Sequence, residues 1–159
     1  MTYGFRLFLV VLLVICAPAA PAAAGEPWGE WLVAEKSAQI RILDCAGALW
    51  GVIAWEKDPG GADEKNPDLG KRGRPTLGMP ILLGMKPIAP GKWDGKIYNS
   101  ENGKTYSGGI RMIDDGSLRI FGCILGFLCG GETWTRSEAP SSNNLPETGA
   151  ATCARLDAS

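Results

Sequence analysis

Two arginines two positions apart, Arg72 and Arg74, follow Asn66 and Asp68 in a charged stretch with no strand pattern. Guanidinium groups so spaced can present paired donor forks to a carboxylate or phosphate. These four residues are therefore the leading candidates for ligand recognition. The same residue types have a plainer use, in which Asn66 and Asp68 satisfy the arginines and the loop amides and pin a long loop to its scaffold. A second group, Trp93, Tyr98, Lys104 and Tyr106, combines apolar rings with polar tips and suits an amphiphilic ligand. It equally suits cross-strand pairs in an ordinary hairpin.

Composition narrows the remaining chemistry. The sequence contains no histidine, which excludes Ser-His-Asp and Cys-His pairs and His-ligated zinc. Asp58 with Asp63, and Asp114 with Asp115, are carboxylate pairs, but each lies in a turn context that uses Asp for local hydrogen bonds. Asp58, Asp63, Glu64 and Asp68 fit no standard calcium loop, and Lys57, Lys65 and Lys71 interrupt them. No catalytic residue, cofactor or metal is expected, and the chain reads as non-enzymatic. Its 17 acidic and 16 basic residues give a net charge of −1, which gives no electrostatic reason to expect nucleic acid or an anionic membrane as partner.

Four cysteines lie outside the leader described below: Cys45, Cys123, Cys129 and Cys153. Cys123 and Cys129 flank Ile124-Leu125-Gly126-Phe127-Leu128, a run able to turn at Gly126 and close a disulfide. Cys45 and Cys153 are available to each other, in a bridge that would tie the tail to an early hairpin. A metal reading of the Cys123/Cys129 spacing lacks a second close pair to complete the ligands.

The elements that must position these residues are strands. With 22 glycines and 11 prolines, the chain is punctuated into pieces too short for several long helices. Strand-like runs occupy 30–34, 39–43, 49–56, 80–85, 95–99, 104–113, 117–123 and 132–136. Asn102-Gly103 and Asp115-Gly116 supply hairpin turns suited to positive φ. Trp50 and Trp55 fall on opposite faces of one strand by simple alternation. Gly29-Glu30-Trp31 opens the strand series and Trp134-Thr135-Arg136 closes it. If first and last strands are neighbours, Arg136 can lie over the Trp31 indole, with Gly29 and Trp134 completing a structural clasp. The fold expected is an all-β, small antiparallel up-and-down barrel of about eight strands.

Three segments stand apart from the strands. Residues 57–75 form one long loop, of the kind that is functional or disordered in compact domains. Residues 138–159 form a flexible, low-complexity tail apart from any tether through Cys153. Residues 1–24 read as a signal peptide: Arg6, an apolar run, then Ala22-Ala23-Ala24, with cleavage near Ala24. That leaves 25–137 as the barrel domain, with no transmembrane segment in the mature chain.

The segment from Trp93 to Tyr106, together with 29–31, 66–78 and 134–136, resembles the DUF2147 family of secreted bacterial proteins. The resemblance implies a lipocalin/calycin-like barrel, export to the Gram-negative envelope, and no established reaction. Relatives often carry a second cysteine shortly after the first; here the run is Cys45-Ala46-Gly47-Ala48-Leu49-Trp50-Gly51, so Cys45 lacks that local partner. Two functions follow as expectations. The first is a periplasmic barrel binding a small apolar or amphiphilic molecule. The second is a non-catalytic envelope module meeting a protein partner through the 57–75 loop and the outer barrel face.

Overall fold

The computed structural model describes residues 25–124, 128–138 and 150–157. Eight strands follow in chain order: β1 (Gly29–Leu32), β2 (Ala38–Cys45), β3 (Ala48–Glu56), β4 (Pro80–Ala89), β5 (Lys92–Asn99), β6 (Lys104–Asp114), β7 (Ser117–Ile124) and β8 (Leu128–Arg136). Each pairs antiparallel with the next, and β1 closes on β8 through Trp31↔Arg136 and Leu32↔Thr135. The expected eight-strand barrel is therefore the observed one. Strand ends extend past the expected ones chiefly at β4, β5 and β8. Pro87, Gly130 and Gly131 read locally as breakers, but pairing to Trp93, Gly122 and Phe121 holds them extended.

Alternation divides the barrel into two faces. Inward side chains include Trp31, Ile40, Ile42, Leu82, Met85, Ile110 and Leu118, each no more than 1 % exposed. They form one apolar cluster with Leu49, Ile53, Ile120 and Trp134, so the described interior positions are occupied by the protein's own side chains. A bulge changes the reading of β3. Ile53 opposes Ile40 but Trp55 opposes Gln39, so one extra residue returns Trp55 to the outer face, where Trp50 also sits opposite Leu43. The two indoles thus share a face, contrary to simple alternation.

Turn chemistry is as expected at one hairpin and different at the other. Gly103 takes φ +68°, and a Cβ there would lie 1.8 Å from the Lys65 carbonyl oxygen, so only glycine lets the long loop pack on this turn. Gly116 stays outside the left-handed region, and its amide instead donates to Asp114 Oδ1 at 2.9 Å.

Two disulfides staple the barrel. Cys123 and Cys129 are directly opposed in the β7–β8 pairing and bonded, whereas the turn expected at Gly126 lies outside the described residues. Cys45 is bonded to Cys153, which lies in α1 (Ala150–Asp157). The tether carries more than the bond: Leu156 is buried against Leu43 and Val52 on the outer wall. The leader at 1–24 and residues 139–149 of the tail lie outside the described residues.

Candidate functional site

The 57–75 loop is a built structure. Its stem is a short bridge between Ala62 and Pro75, with Asp63 N donating to Arg74 O at 3.0 Å. Asn66 Oδ1 accepts from the Asp68 amide at 2.9 Å, and Asp68 Oδ1 accepts from the Gly70 amide at 2.9 Å, capping a one-turn 3-10 segment at Leu69–Lys71. Arg72 Nε donates to the Asn66 carbonyl at 2.8 Å. These bonds satisfy the loop's polar groups locally, which lets the loop lie against the barrel.

Asp63 is the centre of the arrangement and is fully buried. Its Oδ1 accepts from the Tyr98 hydroxyl at 2.5 Å; its Oδ2 accepts from Asn66 Nδ2 at 2.6 Å and from Arg74 Nε at 2.9 Å. The Arg74 guanidinium lies 5.7 Å from the Tyr98 ring centroid. Tyr98 is on the outer face of β5, opposite Thr105, and the loop covers it. Burial raises the Asp63 pKa, but the bonds from Tyr98, Asn66 and Arg74, with the Arg74 charge, outweigh it and hold the carboxyl below its ordinary value. Burial raises Tyr98, and the bond to Asp63 and that residue's charge push it the same way, so the phenol stays protonated as a donor. A buried charge satisfied by three donors is stable only while all three remain.

Beside this network is a cleft of about 220 Å³ on the outer wall. Trp50, Pro80, Leu83 and the tail's Leu156 supply apolar walls. Asn66, Pro67, Lys71 and Arg74 of the loop, with Tyr98 and Thr105 of the β5–β6 hairpin, complete it. A second hollow of about 380 Å³ lies near the opposite end, bordered by Trp28, Ile42, Leu43 and the Glu30–Arg41 ion pair.

The expected site residues divide accordingly. Asn66, Arg74 and Tyr98 meet in one network beside the cleft. Asp68 and Arg72 are used within the loop, so the two arginines do not present paired forks on one face. Trp93 pairs with Ile110 and packs against the core, and Tyr106, opposite Ile97, shares that inward face and accepts from Asn102 Nδ2 at 3.0 Å. Lys104 is exposed at the start of β6. Sequence reasoning passed over Asp63 as a turn residue, because its decisive partner Tyr98 is 35 positions away. Trp50, Leu83 and Leu156 were missed as a group for the same reason. Among the described residues, no group of three or more cysteines, aspartates or glutamates gathers to hold a metal.

The clasp residues assemble at the other end of the barrel. Arg136 lies 4.3 Å from the Trp31 ring centroid and donates to the carbonyls of Asp115 (2.6 Å), Trp28 (3.0 Å) and Glu26 (2.6 Å). Trp31 Nε1 donates to Pro27 O at 2.7 Å, and Trp134 is buried beside them in the core. Gly29, at φ +119°, leaves room for the guanidinium: a Cβ would lie 3.0 Å from Arg136 Nη1. The Arg136 guanidinium thereby joins β8 to the segment before β1 and to the β6–β7 turn, whereas the Trp134 indole N–H donates to Glu132 Oε1 on its own strand.

A family model described as an uncharacterized protein conserved in bacteria (DUF2147) matches residues 29–136. The solved structure of protein HP1028 from Helicobacter pylori, described as belonging to the lipocalin family, is similar at a TM-score of 0.70 and 22 % identity. The similarity covers 84 % of this chain and 99 % of that one, and at this identity it speaks for the fold. No curated protein matches the chain.

Proposed function

The chain belongs to the DUF2147 family, and from that premise we propose that it is an exported, non-catalytic binding protein that holds a small apolar or amphiphilic molecule in the outer-wall cleft. The observation that carries the reading is the convergence of Trp50, Leu83 and Leu156 with Arg74 and Tyr98, because small-molecule sites pair apolar walls with a few fixed polar groups. The interior is a weaker location, since its described side chains are buried against one another. A non-catalytic role accords with the lack of histidine and with an Asp63 carboxylate committed to three donors. Residence in the periplasm of a Gram-negative bacterium accords with the leader pattern of 1–24 and with two disulfides, which persist in oxidising compartments.

Native mass spectrometry of protein isolated from a bacterial periplasm tests this reading. A retained small molecule that is lost in Leu83→Glu is the expected result, with the measured mass also reporting cleavage near Ala24. A molecule retained equally by the variant would put the ligand elsewhere.

The second reading, an envelope interaction module, is favoured by Leu69, which is 73 % exposed at the loop's turn. Leu69→Ser should then reduce capture of an envelope protein without lowering stability. Unchanged capture counts against it. A point change is the right probe, because removing the loop would also remove the buried Asp63 and Asn66.

A further inference from the structure

The tail reaches the cleft through one helix. α1 carries Cys153, bonded to Cys45 at the end of β2, and Leu156, one turn further on. Residues three apart share a helix face, so the bond and the leucine meet the outer wall together. Leu156 is buried against Leu43 and Val52, with Cys45 and Trp50 packed on the same cluster. Leu156 and Trp50 are also walls of the cleft. Among the described side chains of α1, Leu156 alone is buried. The disulfide, the leucine and the cleft therefore form one continuous piece of surface.

The two disulfides differ in what holds their cysteines once the sulfurs part. Cys123 and Cys129 face each other in the β7–β8 ladder, which pairs every residue from Ser117↔Thr135 to Ile124↔Leu128. That pairing keeps the two thiols opposed, so a freed one recloses the bond. Cys45 and Cys153 are separated by 108 residues, and among the described residues no strand pairing holds the tail to β2. α1 has eight residues, below the about 12–15 at which an isolated helix becomes even marginally stable in water. With the bond open, the tail regains its chain entropy and leaves the wall. Cys45 and Cys153 are both half-buried, within reach of a thiol from solvent.

We propose that the Cys45–Cys153 bond is a thiol–disulfide exchange site that sets the affinity of the cleft. Oxidised, it seats Leu156 as an apolar wall; reduced, it frees α1 and leaves the cleft, about 220 Å³, open on that side. This rests on the cleft being the binding site, and it adds the regulation of that site. The partner is a reductant bearing thiols, either a small thiol or a protein dithiol. Its thiolate attacks one sulfur of the disulfide, forming a mixed disulfide and releasing the other cysteine as a thiolate. A second thiolate of the reductant then attacks the reductant's own sulfur in the mixed disulfide. The reductant leaves as its disulfide, two electrons have passed to the protein, and protons from the reductant's thiols end on the two cysteine sulfurs.

Graded dithiothreitol on the full mature chain tests this, with alkylated cysteines identified by mass spectrometry and octan-1-ol as the calorimetric probe. Cys45 and Cys153 should be alkylated at reductant concentrations that leave Cys123–Cys129 bonded, while circular dichroism keeps the signal of the folded barrel. Octan-1-ol should then bind about tenfold more weakly than to the oxidised protein, and reoxidation should restore it. Leu156→Ser, with the bond intact, should weaken binding to a similar extent. The paired change of Cys45→Ser and Cys153→Ser should do the same and make binding indifferent to dithiothreitol. Reduction of Cys123–Cys129 first, or loss of the barrel on reducing Cys45–Cys153, would overturn the exchange site. Unchanged octan-1-ol binding after reduction, in a protein whose binding Leu83→Glu still weakens, would keep the cleft as the site and overturn its regulation. Octan-1-ol that fails to bind the oxidised protein, or binds Leu83→Glu equally well, would remove the cleft reading and the proposal with it.

Discussion

Asp63 illustrates how one side chain can hold a long loop. Buried carboxylates are costly unless fully hydrogen-bonded, and here three donors from two separate segments meet one group. The Tyr98 bond crosses from loop to barrel and is the one that fixes the loop's position. Tyr98→Phe removes that donor alone and should cost about 1.5–3 kcal/mol, read from urea midpoints at neutral pH. The pH dependence has a definite sign. Because the folded-state pKa of Asp63 is depressed, its stabilising contribution is complete above the ordinary value of 3.8 and is lost as pH falls through the lower folded value. In Tyr98→Phe the folded value moves back toward 3.8, so stability should fall off at a higher pH than in the parent protein. Identical acid profiles for the two proteins would contradict the assignment. On the alkaline side the raised Tyr98 pKa has the opposite effect: the donor's contribution is full below 10.0 and is lost as pH rises through the folded value.

Among the elements, the β5–β6 hairpin and the 57–75 loop behave as one unit. Besides the Tyr98–Asp63 bond, they meet in a backbone approach at Gly103, where any side chain would strike the Lys65 carbonyl. Gly103→Ala should therefore destabilise by more than the about 1–2 kcal/mol that left-handed backbone alone costs an L-residue. Gly116→Ala is the control, since that glycine is not left-handed and its Cβ would meet nothing closer than Asp114 Oδ1 at 3.6 Å. Equal losses in the two variants would remove the loop packing from the explanation. Both glycines follow the same kind of residue, Asn or Asp, and read alike in the sequence. What separates them is the loop lying over one turn, 38 positions away at Lys65 and invisible to local pattern.

At the scale of the whole molecule, two closures of different kind make the barrel a unit. The Arg136 clasp joins first and last strands through one guanidinium, worth roughly 0.5–2 kcal/mol in its stacking on Trp31 before its three carbonyl bonds are considered. The Cys45–Cys153 disulfide ties the chain's end to the β2 wall across a separation of 108 residues and seats Leu156 on Leu43 and Val52. Replacing both cysteines by serine should lower stability by roughly 2–5 kcal/mol, measured by denaturant unfolding, because so long a loop is freed in the unfolded chain. The same pair of changes releases Leu156 from the cleft. Unfolding midpoints that match the parent protein would mean that the tether adds nothing to the fold.

The sequence by itself determined the barrel, its strand count, the stacking of Arg136 on Trp31 and the pairing of Cys123 with Cys129. The strands and the Cys123–Cys129 pair rest on local information, period-two alternation, Asn-Gly and Asp-Gly turns and adjacent strands, whereas the Arg136–Trp31 contact follows only once first and last strands are neighbours. Even there one inserted residue, at the β3 bulge, reversed the facing of Trp55. Only the tertiary structure decided that Asp63 is the hub, that Tyr98 faces outward while Trp93 and Tyr106 face inward, and that Leu156 of the tail completes a cleft with Trp50 and Leu83. Those residues lie far apart in the chain, and what makes them a site is a loop folded over the outer wall and a tail bonded to it. Contacts of that kind depend on where the backbone passes, which pattern along a strand does not encode.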